Sequence, residues 1–360
     1  MTSSPYPKSQ DILNELNQYE QFDRADEPER VAIMNGLKLE IQPDKVRKTL
    51  LYEAGIFPHT KHGIINPSCV LTNGNNLKVI YRTEPSEATW TGYLMTDKGV
   101  PQIASGRISR KGIILTDPKP IESGMPLSCR PEDWRLFSHN NRTYVNFTNY
   151  FYYDRGWPQK TARCVTALGV LVEGRIQFVR EVSCNHLNIP MKKEEKNWVF
   201  FSHNDLLYCL YSCEPWIVFR CDDTGKPHEI ISADITLPRL GNKFIANSTN
   251  PILVNIPKLG SVFLMFVHQY MTPKGKGSRN RTYYQHILLI DPDTMLPIAW
   301  TPYPIVGGGM GTKGRHDGVI YISGAFTWDN KLYALAGEGD TSCVMFELTL
   351  KDLSRWITML

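Results

Sequence analysis

Two segments of the chain repeat the same pattern of residues. Residues Trp134–Asn141 read WRLFSHNN, and residues Trp198–Asp205 read WVFFSHND. In both, a Trp stands three residues before the Phe of Phe-Ser-His-Asn, and an alternating strand that carries a Tyr follows. The Asn-Asn and Asn-Asp dipeptides suit a tight turn between antiparallel strands. A hairpin that recurs in this way indicates a repeat architecture.

Three further hairpins show the same alternation of apolar and polar residues. They are 68–82 around Asn73-Gly74, 251–268 around Lys258-Leu259-Gly260, and 324–336 around Asp329-Asn330. The five hairpins recur every roughly 55 to 70 residues with about four strands in each interval, and a propeller blade is a four-stranded sheet. We therefore predict an all-β protein in which residues 61–360 form a five-bladed β-propeller. A two-sheet sandwich, the alternative fold, does not predict a fivefold repeat.

Residues 1–60 differ from the rest of the chain. The apolar residues between Gln10 and Tyr19 share one face of a helix, and Pro28 suits the first turn of another. We predict an N-terminal extension, partly helical, that packs on the propeller. The extension is also a candidate for contacts that make a homo-oligomer.

Composition narrows the class of protein. The 360 residues carry a net charge of only +4, and no Lys/Arg cluster is interleaved with aromatic residues, so we expect no nucleic-acid partner. The sequence contains neither a signal peptide nor an apolar run of about 18 residues, which predicts a cytoplasmic protein without a membrane span. Most of the eight cysteines lie in apolar runs. Cys209 and Cys213 are four apart, but no second pair has the spacing of zinc ligands, so we expect no metal site.

Polar residues flank the first two strands of the predicted blades. Because these strand ends meet near the axis of a propeller, we expect the flanking residues to surround one funnel. Those before the innermost strands are Asn66-Pro67, Glu132-Asp133, Lys196-Asn197 and Asn250-Pro251. Those at the end of the second strands are Arg82, Thr148-Asn149, Cys213-Glu214, His268-Gln269-Tyr270 and Glu338-Gly339-Asp340.

These residue types suit a sugar substrate. Carboxylates and amides bind hydroxyl groups, and aromatic faces cover the apolar side of a pyranose ring. The funnel carboxylates are Glu132, Asp133, Glu214, Glu338 and Asp340, and the neighbouring aromatics are Trp134, Trp216 and Tyr270. Glycosyl transfer needs an acid that protonates the leaving oxygen and a group that delivers the acceptor on the opposite face. Glu132 and the neighbouring arginines act on the Asp133 carboxyl in opposite directions, so the sequence leaves its protonation state open.

The order of these motifs resembles the five-bladed propeller mannoside phosphorylases and hydrolases of glycoside hydrolase family 130. It also resembles the related mannosyltransferases and phosphorylases of glycosyltransferase family 108. The matching motifs, over about residues 60 to 350, are Asn66-Pro67 with Arg82, Glu132-Asp133-Trp134-Arg135, Lys196-Asn197-Trp198, Val267-His268, Gly324-Ala325 and Gly337-Glu338-Gly339-Asp340-Thr341.

The resemblance implies that Asp133 is the general acid. In the family's phosphorylases this residue acts through a sugar hydroxyl while inorganic phosphate attacks the anomeric carbon. Asn66, Arg82 and Asp340 would hold the sugar, and Lys196 would lie toward the phosphate. The other residues that we predict to bind an oligosaccharide or glycoside substrate are Glu132, Arg135, Asn197, Glu214, Tyr270 and Glu338.

Two positions depart from the family pattern. Trp134 replaces the usual Pro after the acid, and Tyr211-Ser212 replaces a His-Arg pair that helps to bind phosphate. A phosphate site needs several fixed cations or N–H donors, and the candidates here are Lys196, Arg163, Arg220 and His268. Inorganic phosphate, a sugar phosphate or a nucleotide sugar would be the co-substrate, and we expect no other cofactor.

Two alternatives remain open at the level of sequence. An inverting hydrolase would use Glu214 or Glu338 to activate water, and a non-catalytic propeller would only bind a glycan. The furanosidase-type propeller hydrolases offer a further analogy through Cys213-Glu214-Pro215. Those hydrolases carry an acidic residue in blade one, however, and this chain has Asn66 there instead.

Overall fold

The computed structural model describes residues 45–53, 64–83, 101–122, 129–152, 161–189, 195–237, 245–271, 281–307 and 318–360. The helices predicted between residues 10 and 30 lie outside these ranges. Within the described ranges the chain is almost entirely strand, with one helix, α1 (Leu350–Trp356), and a 3-10 turn at Asn185–Leu187. The all-β prediction is therefore confirmed.

The described strands form five antiparallel sheets, one for each predicted blade. The first strand is β1 (Arg47–Glu53). Blade one contains β2 (Ile64–Thr72), β3 (Asn76–Thr83), β4 (Pro101–Ser109), β5 (Gly112–Leu115) and β6 (Lys119–Pro120). Blade two contains β7 (Cys129–His139), β8 (Arg142–Tyr152), β9 (Thr161–Val172) and β10 (Arg175–Glu181).

The remaining strands complete blades three, four and five. Blade three contains β11 (Val199–His203), β12 (Leu206–Cys213), β13 (Trp216–Cys221) and β14 (Pro227–Ala233). Blade four contains β15 (Ala246–Asn247), β16 (Ile252–Ile256), β17 (Gly260–Met271), β18 (Thr282–Ile290), β19 (Pro297–Trp300) and β20 (Val306–Gly307). Blade five contains β21 (Ile320–Trp328), β22 (Lys331–Glu338) and β23 (Ser342–Thr349), and β24 (Thr358–Met359) returns to pair with β19 of blade four.

The first strand belongs to the last blade. β1 pairs antiparallel with β23, from Arg47 opposite Glu347 to Glu53 opposite Ser342, so blade five combines strands from both parts of the chain. β1 lies inside the range that the sequence assigned to the N-terminal extension. Composition does not reveal a single edge strand whose partner lies some 300 residues away.

Five apolar clusters lie between neighbouring blades and close the ring. They join blades one and two, two and three, three and four, four and five, and five and one. The cluster between five and one contains Tyr333 and Met345 from blade five and Val79 and Ala104 from blade one. Each large apolar side chain buried in this way contributes about 1.5–3 kcal/mol to folding. The ring of interfaces confirms the five-bladed propeller.

The innermost strands approach one another closely around the axis. A Cβ on Gly324 would lie 2.5 Å from the backbone nitrogen of Cys69, so only glycine fits where blade five meets blade one. Asn250 of blade four accepts from the backbone N–H of Phe200 at 3.0 Å and donates to the carbonyl of Leu136 at 3.2 Å. These contacts hold the inner strands of three blades in a fixed arrangement, which in turn fixes the residues at their ends.

Candidate functional site

Three predicted site residues have left-handed backbone conformations outside any hairpin turn. The φ angles are 49° at Asn66, 54° at Asp133 and 63° at Asn197. The pairing of β2 with β3 shifts register around Asn66, and that of β7 with β8 shifts around Asp133, so both residues lie in bulges. Bulges redirect side chains, and backbone strain that a turn does not explain often marks a functional position.

Asp133 is held from two sides. Its Oδ1 accepts a hydrogen bond from Asn66 Nδ2 at 2.5 Å, a contact between blades two and one. Its carbonyl accepts from Nη1 of Arg135 at 3.0 Å. The side chain is only partly buried. A carboxylate with a fixed direction and access to solvent is suited to proton transfer to a bound substrate.

Arg135 forms the floor below Asp133. The residue is 1% exposed. Nε donates to the carbonyl of Ser248 at 2.6 Å, and Nη2 donates to the hydroxyl of Tyr321 at 2.7 Å and to Oδ1 of Asn197 at 3.3 Å. The guanidinium therefore joins blades two, three, four and five. Arg135 was predicted to bind substrate, but these contacts make it a positioning residue that fixes Asp133 and Asn197.

His268 is a neutral imidazole in this floor. Ser248 Oγ donates to Oε1 of Gln285 at 3.2 Å, so the 2.8 Å contact between Ser248 Oγ and His268 Nδ1 has the imidazole as donor. Burial lowers the pKa of His268 to about 3, and the positive charge of Arg135 acts in the same direction. Desolvation therefore keeps the ring uncharged, and the place of His268 in an anion site stays a prediction.

Two carboxylates at the edge of the funnel are ion-paired. Arg82 Nη1 lies 3.1 Å from Glu132 Oε1, and both side chains are largely buried. Glu338 is buried and forms an ion pair with Lys48 of β1. Asp340 lies in the turn after β22 with a φ of 56°. Charged groups fixed in this way present oriented hydrogen-bonding atoms to a polar ligand.

A row of tyrosines forms one wall of the site. The ring centroids of Tyr270 and Tyr283 are 5.8 Å apart, and those of Tyr283 and Tyr321 are 5.9 Å apart. His268 meets the ring of Tyr321 edge-on at 5.0 Å. Burial raises the pKa of both Tyr283 and Tyr321, so their hydroxyl groups stay protonated. Tyr270, which was predicted from sequence, is thus part of a larger aromatic surface.

The structure does not bring every predicted residue to this cluster. Arg220 pairs with Glu229 at 3.2 Å, on a part of β13 that lies opposite Tyr208, toward the hairpin end of β12. Glu214 Oε1 accepts a hydrogen bond from the backbone N–H of Leu237 at 3.0 Å. Leu237 follows β14, the outermost strand of blade three. Arg163 lies in β9, and its side chain falls outside the described part of the chain. The expectation that Arg220 binds an anion here is wrong, because its strand places it away from the funnel.

Two predicted aromatic faces are core residues. Trp134 is fully buried and packs on Phe147 with 4.4 Å between ring centroids. Trp216 is also fully buried, and its Nε1 donates to the carbonyl of Met295 at 2.9 Å. The prediction that they cover a sugar ring is therefore wrong. Side chains alternate across a strand, and both tryptophans point into the interfaces between blades.

Tyr211 and Ser212 stand where the resembled family has a His-Arg pair. The hydroxyl of Tyr211 donates to Oε1 of Glu195 at 3.4 Å, and Nε1 of Trp198 donates to Oε2 at 3.1 Å. Glu195 is 2% exposed. The Glu195 backbone N–H also donates to the carbonyl of Cys164 in blade two at 2.8 Å. Glu195 thus anchors the segment that carries Lys196 and Asn197.

Sequence reasoning missed five residues of the site. They are Tyr321, Ser248, Tyr283, Glu195 and Arg281, whose guanidinium carbon lies 4.4 Å from the ring centroid of Tyr270. One signal was available for Tyr321, because it lies at the start of the innermost strand of blade five, at the level that supplied the predicted residues of the other blades. The predicted strand began at Gly324 instead, which placed Tyr321 outside the set.

The described residues contain no group of three or more His, Cys, Asp or Glu side chains arranged to hold a metal ion. Seven of the eight cysteines have described side chains, and all seven are buried free thiols. Across the described ranges, no helix has the length and apolar character needed to cross a membrane.

The fold and these contacts define a five-bladed propeller with a polar funnel whose floor is tied together by Arg135. Sequence comparison finds no matching family model and no matching curated protein. Solved structures are similar in fold. A β-1,2-mannobiose phosphorylase from Listeria innocua aligns with a TM-score of 0.60 at 15% identity, over 86% of this chain and 98% of that one.

Two Leishmania mexicana enzymes are also similar. A GDP-mannose-dependent mannosyltransferase aligns with a TM-score of 0.58 at 12% identity, over 90% of this chain and 95% of that one. A mannose phosphorylase, solved with a phosphate ion, aligns with a TM-score of 0.53 at 10% identity, over 91% of this chain and 96% of that one. The structural neighbours are thus propeller enzymes that act on mannosides, and the fold expected from the sequence motifs is confirmed.

Proposed function

We propose that the protein makes or breaks mannosidic bonds, by phosphorolysis or by glycosyl transfer, with Asp133 as the general acid. The position of Asp133 carries this proposal. Its carboxylate lies on a bulge, is oriented by Asn66 at 2.5 Å, and stands above a buried guanidinium that holds its backbone. The enzymes of similar fold support mannosides as the class of substrate.

In this function Asp133 delivers a proton to the leaving glycosidic oxygen, directly or through a sugar hydroxyl. The oxygen–carbon bond breaks as the acceptor attacks the anomeric carbon from the opposite face. Asn66 fixes the direction of the carboxylate, and Arg135 fixes its backbone through the carbonyl. A positioned acid of this kind accelerates the reaction by about 10²–10⁴-fold.

The groups around Asp133 would bind the hydroxyls of an oligosaccharide or glycoside. The Arg82–Glu132 ion pair offers both donors and acceptors in one fixed arrangement. Asn197 and Asp340 have left-handed backbones that turn their side chains away from the regular strand direction. Tyr270 would supply an aromatic edge. The co-substrate would be inorganic phosphate, a sugar phosphate or a nucleotide sugar.

Hydrolysis is less well supported. It requires Glu214 or Glu338 as a base that activates water on the face opposite Asp133. Glu338 is buried in its ion pair with Lys48, and Glu214 bonds to the backbone of Leu237 at 3.0 Å. Both contacts favour phosphorolysis or transfer over the hydrolytic alternative.

The test is the Asp133→Asn variant, with Asp293→Asn as a matched control in an exposed turn. Both proteins are incubated with mannose 1-phosphate, GDP-mannose or β-mannosides, with and without phosphate, and the products are analysed. We expect the turnover rate of Asp133→Asn to fall by about 10²–10⁴-fold while its melting temperature stays that of the wild type. An unchanged rate in Asp133→Asn would disprove the assignment. Saturable sugar binding without turnover of any donor would support a glycan-binding propeller instead.

A further inference from the structure

A serine, a histidine and an aspartate contact one another at the hairpin ends of blades two and three, opposite the funnel. Nδ1 of His139 lies 2.9 Å from Oγ of Ser202, and Nε2 of the same ring lies 3.4 Å from Oδ1 of Asp223. The imidazole is buried, the serine is partly exposed, and the aspartate is exposed. A hydroxyl, an imidazole and a carboxylate in this order can activate the hydroxyl as a nucleophile.

The cluster exists because two consecutive blades carry the Phe-Ser-His-Asn motif. Blade two supplies His139 and blade three supplies Ser202, so the pair forms across the interface between the two blades. Ser138 stands at the place of Ser202 in blade two. The equivalent position to the histidine in blade one is Thr72, so the repeat offers Ser138 no imidazole.

Asp223 favours the tautomer that makes His139 a base toward Ser202. A carboxylate only accepts hydrogen bonds, so its contact with Nε2 requires the proton on Nε2. Nδ1 is then the acceptor, and the hydroxyl of Ser202 donates to it. In the other tautomer Nε2 would accept from Nδ2 of Asn140 at 3.2 Å. The negative charge of Asp223 also stabilises the imidazolium that forms when the hydroxyl gives up its proton.

The turn between β13 and β14 holds Asp223 in place. Oδ1 of Asp222 accepts from the backbone N–H groups of Thr224 and Lys226, both at 2.9 Å. The N–H of Gly225 donates to the carbonyl of Asp222 at 2.8 Å. These bonds fix the backbone on both sides of Asp223, so its carboxylate is presented to His139 from an ordered turn.

Ser202 borders a cavity of about 300 Å³. The innermost strands of all five blades contribute to the lining, so the cavity lies on the axis of the propeller. Much of the wall is apolar and includes Leu136, Phe201, Phe263 and Phe326. A small, mainly uncharged molecule suits such a cavity.

The backbone beside Ser202 offers a donor for a developing negative charge. The N–H of Phe200 points away from β12, because it donates to Oδ1 of Asn250 at 3.0 Å. N–H groups alternate between the two sides of a strand, so the N–H of Ser202 also points away from β12. A backbone N–H next to the nucleophile can stabilise the oxygen of a carbonyl under attack.

We propose that Ser202 is a nucleophile, activated by His139, that accepts the acyl group of a small apolar carboxylic ester bound in the axial cavity. Oγ bonds to the carbonyl carbon, and its proton passes to Nδ1 of His139. The bond from that carbon to the alcohol oxygen then breaks, and the leaving alcohol takes the proton. Water attacks the acyl-serine in the same way, which releases the carboxylic acid and restores the hydroxyl of Ser202.

Two measurements on the full chain test this second site. The wild type is treated with a fluorophosphonate, which bonds through phosphorus to an activated serine and releases fluoride, and the modified residue is identified by peptide mass spectrometry. Hydrolysis of p-nitrophenyl butyrate is followed by absorbance. We expect modification at Ser202 and hydrolysis of the ester.

Ser202→Ala should abolish both reactions, and Ser138→Ala is the matched control from the same place in the repeat. We expect His139→Gln to slow both reactions by about 10²-fold or more, because the general base is lost. Asp223 acts only through the imidazole, so Asp223→Asn should slow them by about 2- to 5-fold, since solvent weakens an exposed ion pair. Asp223→Glu should restore most of the rate. Melting temperatures establish that each variant is folded.

Four results would overturn the second site. They are modification at a residue other than Ser202, no ester hydrolysis by the wild type, equal hydrolysis by the wild type and Ser202→Ala, or equal rates in the wild type and a folded His139→Gln. The proposal is independent of the function proposed above. Asp133→Asn should therefore lose mannoside turnover and retain the hydrolysis of the ester.

Discussion

Left-handed Asn or Asp residues occur near both ends of the innermost strand in three blades. The pairs, each seven residues apart, are Asn66 and Asn73, Asp133 and Asn140, and Asn197 and Asn204. All six φ angles fall between 46° and 63°. The backbone conformation is therefore the same at the funnel end and at the hairpin end of each strand, and only the surroundings differ.

The hairpin-end residues make local contacts. Asn140 Nδ2 lies 3.2 Å from Nε2 of the adjacent His139, and Asn204 makes the same contact with His203 at 3.1 Å. The funnel-end residues contact other blades, as Asn66 does with Asp133. A two-residue turn explains a left-handed Asn by itself, but a bulge held by another blade indicates that the position of the side chain matters.

The largest effect is expected when the two ends are compared through the variants Asn66→Ala and Asn73→Ala. Both variants place Ala in a left-handed conformation, which costs about 1–2 kcal/mol of stability in either case. Only Asn66→Ala removes the hydrogen bond to Asp133. We expect kcat/KM to fall by about 10²-fold in Asn66→Ala, because the acid loses its orientation, and to be unchanged in Asn73→Ala. Equal activities in the two variants would contradict the distinction between the two ends.

The second test uses the pH dependence of stability. Burial lowers the pKa of His268 to about 3 and that of His286 to about 4. In the unfolded chain both rings titrate near about 6.5. Below this pH the unfolded state binds more protons than the folded state. The free energy of unfolding therefore decreases as the pH is lowered, by up to about 1.4 kcal/mol per pH unit for each histidine.

Urea unfolding at pH values from about 7 to about 5 measures this slope. The variant His268→Gln should lose about half of the contribution that the two histidines make, because His286 remains. A variant with the full slope of the wild type would show that His268 is protonated in the folded protein. That result would mean that burial does not control the protonation of His268.

Local chemistry made much of this arrangement predictable from sequence. Turn dipeptides such as Asn140-Asn141 located the hairpins, and the polar residues before the strands located Asn66, Asp133 and Asn197. Trp134 was misplaced because adjacent residues in a strand point to opposite sides, and the bulge at Asp133 changes that alternation. A bulge depends on contacts with another blade, and the sequence of one blade does not contain them.

Residues that act through long-range contacts could not be predicted. Arg281 lies beside Tyr270 only because β17 and β18 pair in the register that places Tyr270 opposite Tyr283. Tyr321 reaches Arg135 across 186 positions of sequence. The first contact depends on the register of two strands in one blade and the second on the closure of the ring, so no local pattern of residues reports either.

The smallest test concerns the repeated Phe-Ser-His-Asn motif, at the end of the strands opposite the funnel. His139 is 1% exposed, and its Nδ1 lies 2.9 Å from Oγ of Ser202 in the next blade. His203, at the same place in the repeat, is partly exposed and meets the ring of Phe263 edge-on, with 5.2 Å between centroids. Identical motifs thus make a hydrogen bond between blades in one case and an aromatic contact in the other.

We expect His139→Ala to lose about 1 kcal/mol or more in the free energy of unfolding, because it removes a buried ring and its hydrogen bond to Ser202. His203→Ala should lose less, since its ring is partly solvated. Turnover should be unchanged in both, because neither residue contacts the funnel. Urea denaturation and steady-state kinetics measure the two effects. A large loss of turnover in His139→Ala at full stability would mean that the two ends of the propeller are coupled, so that the hairpin end also contributes to the orientation of Asp133.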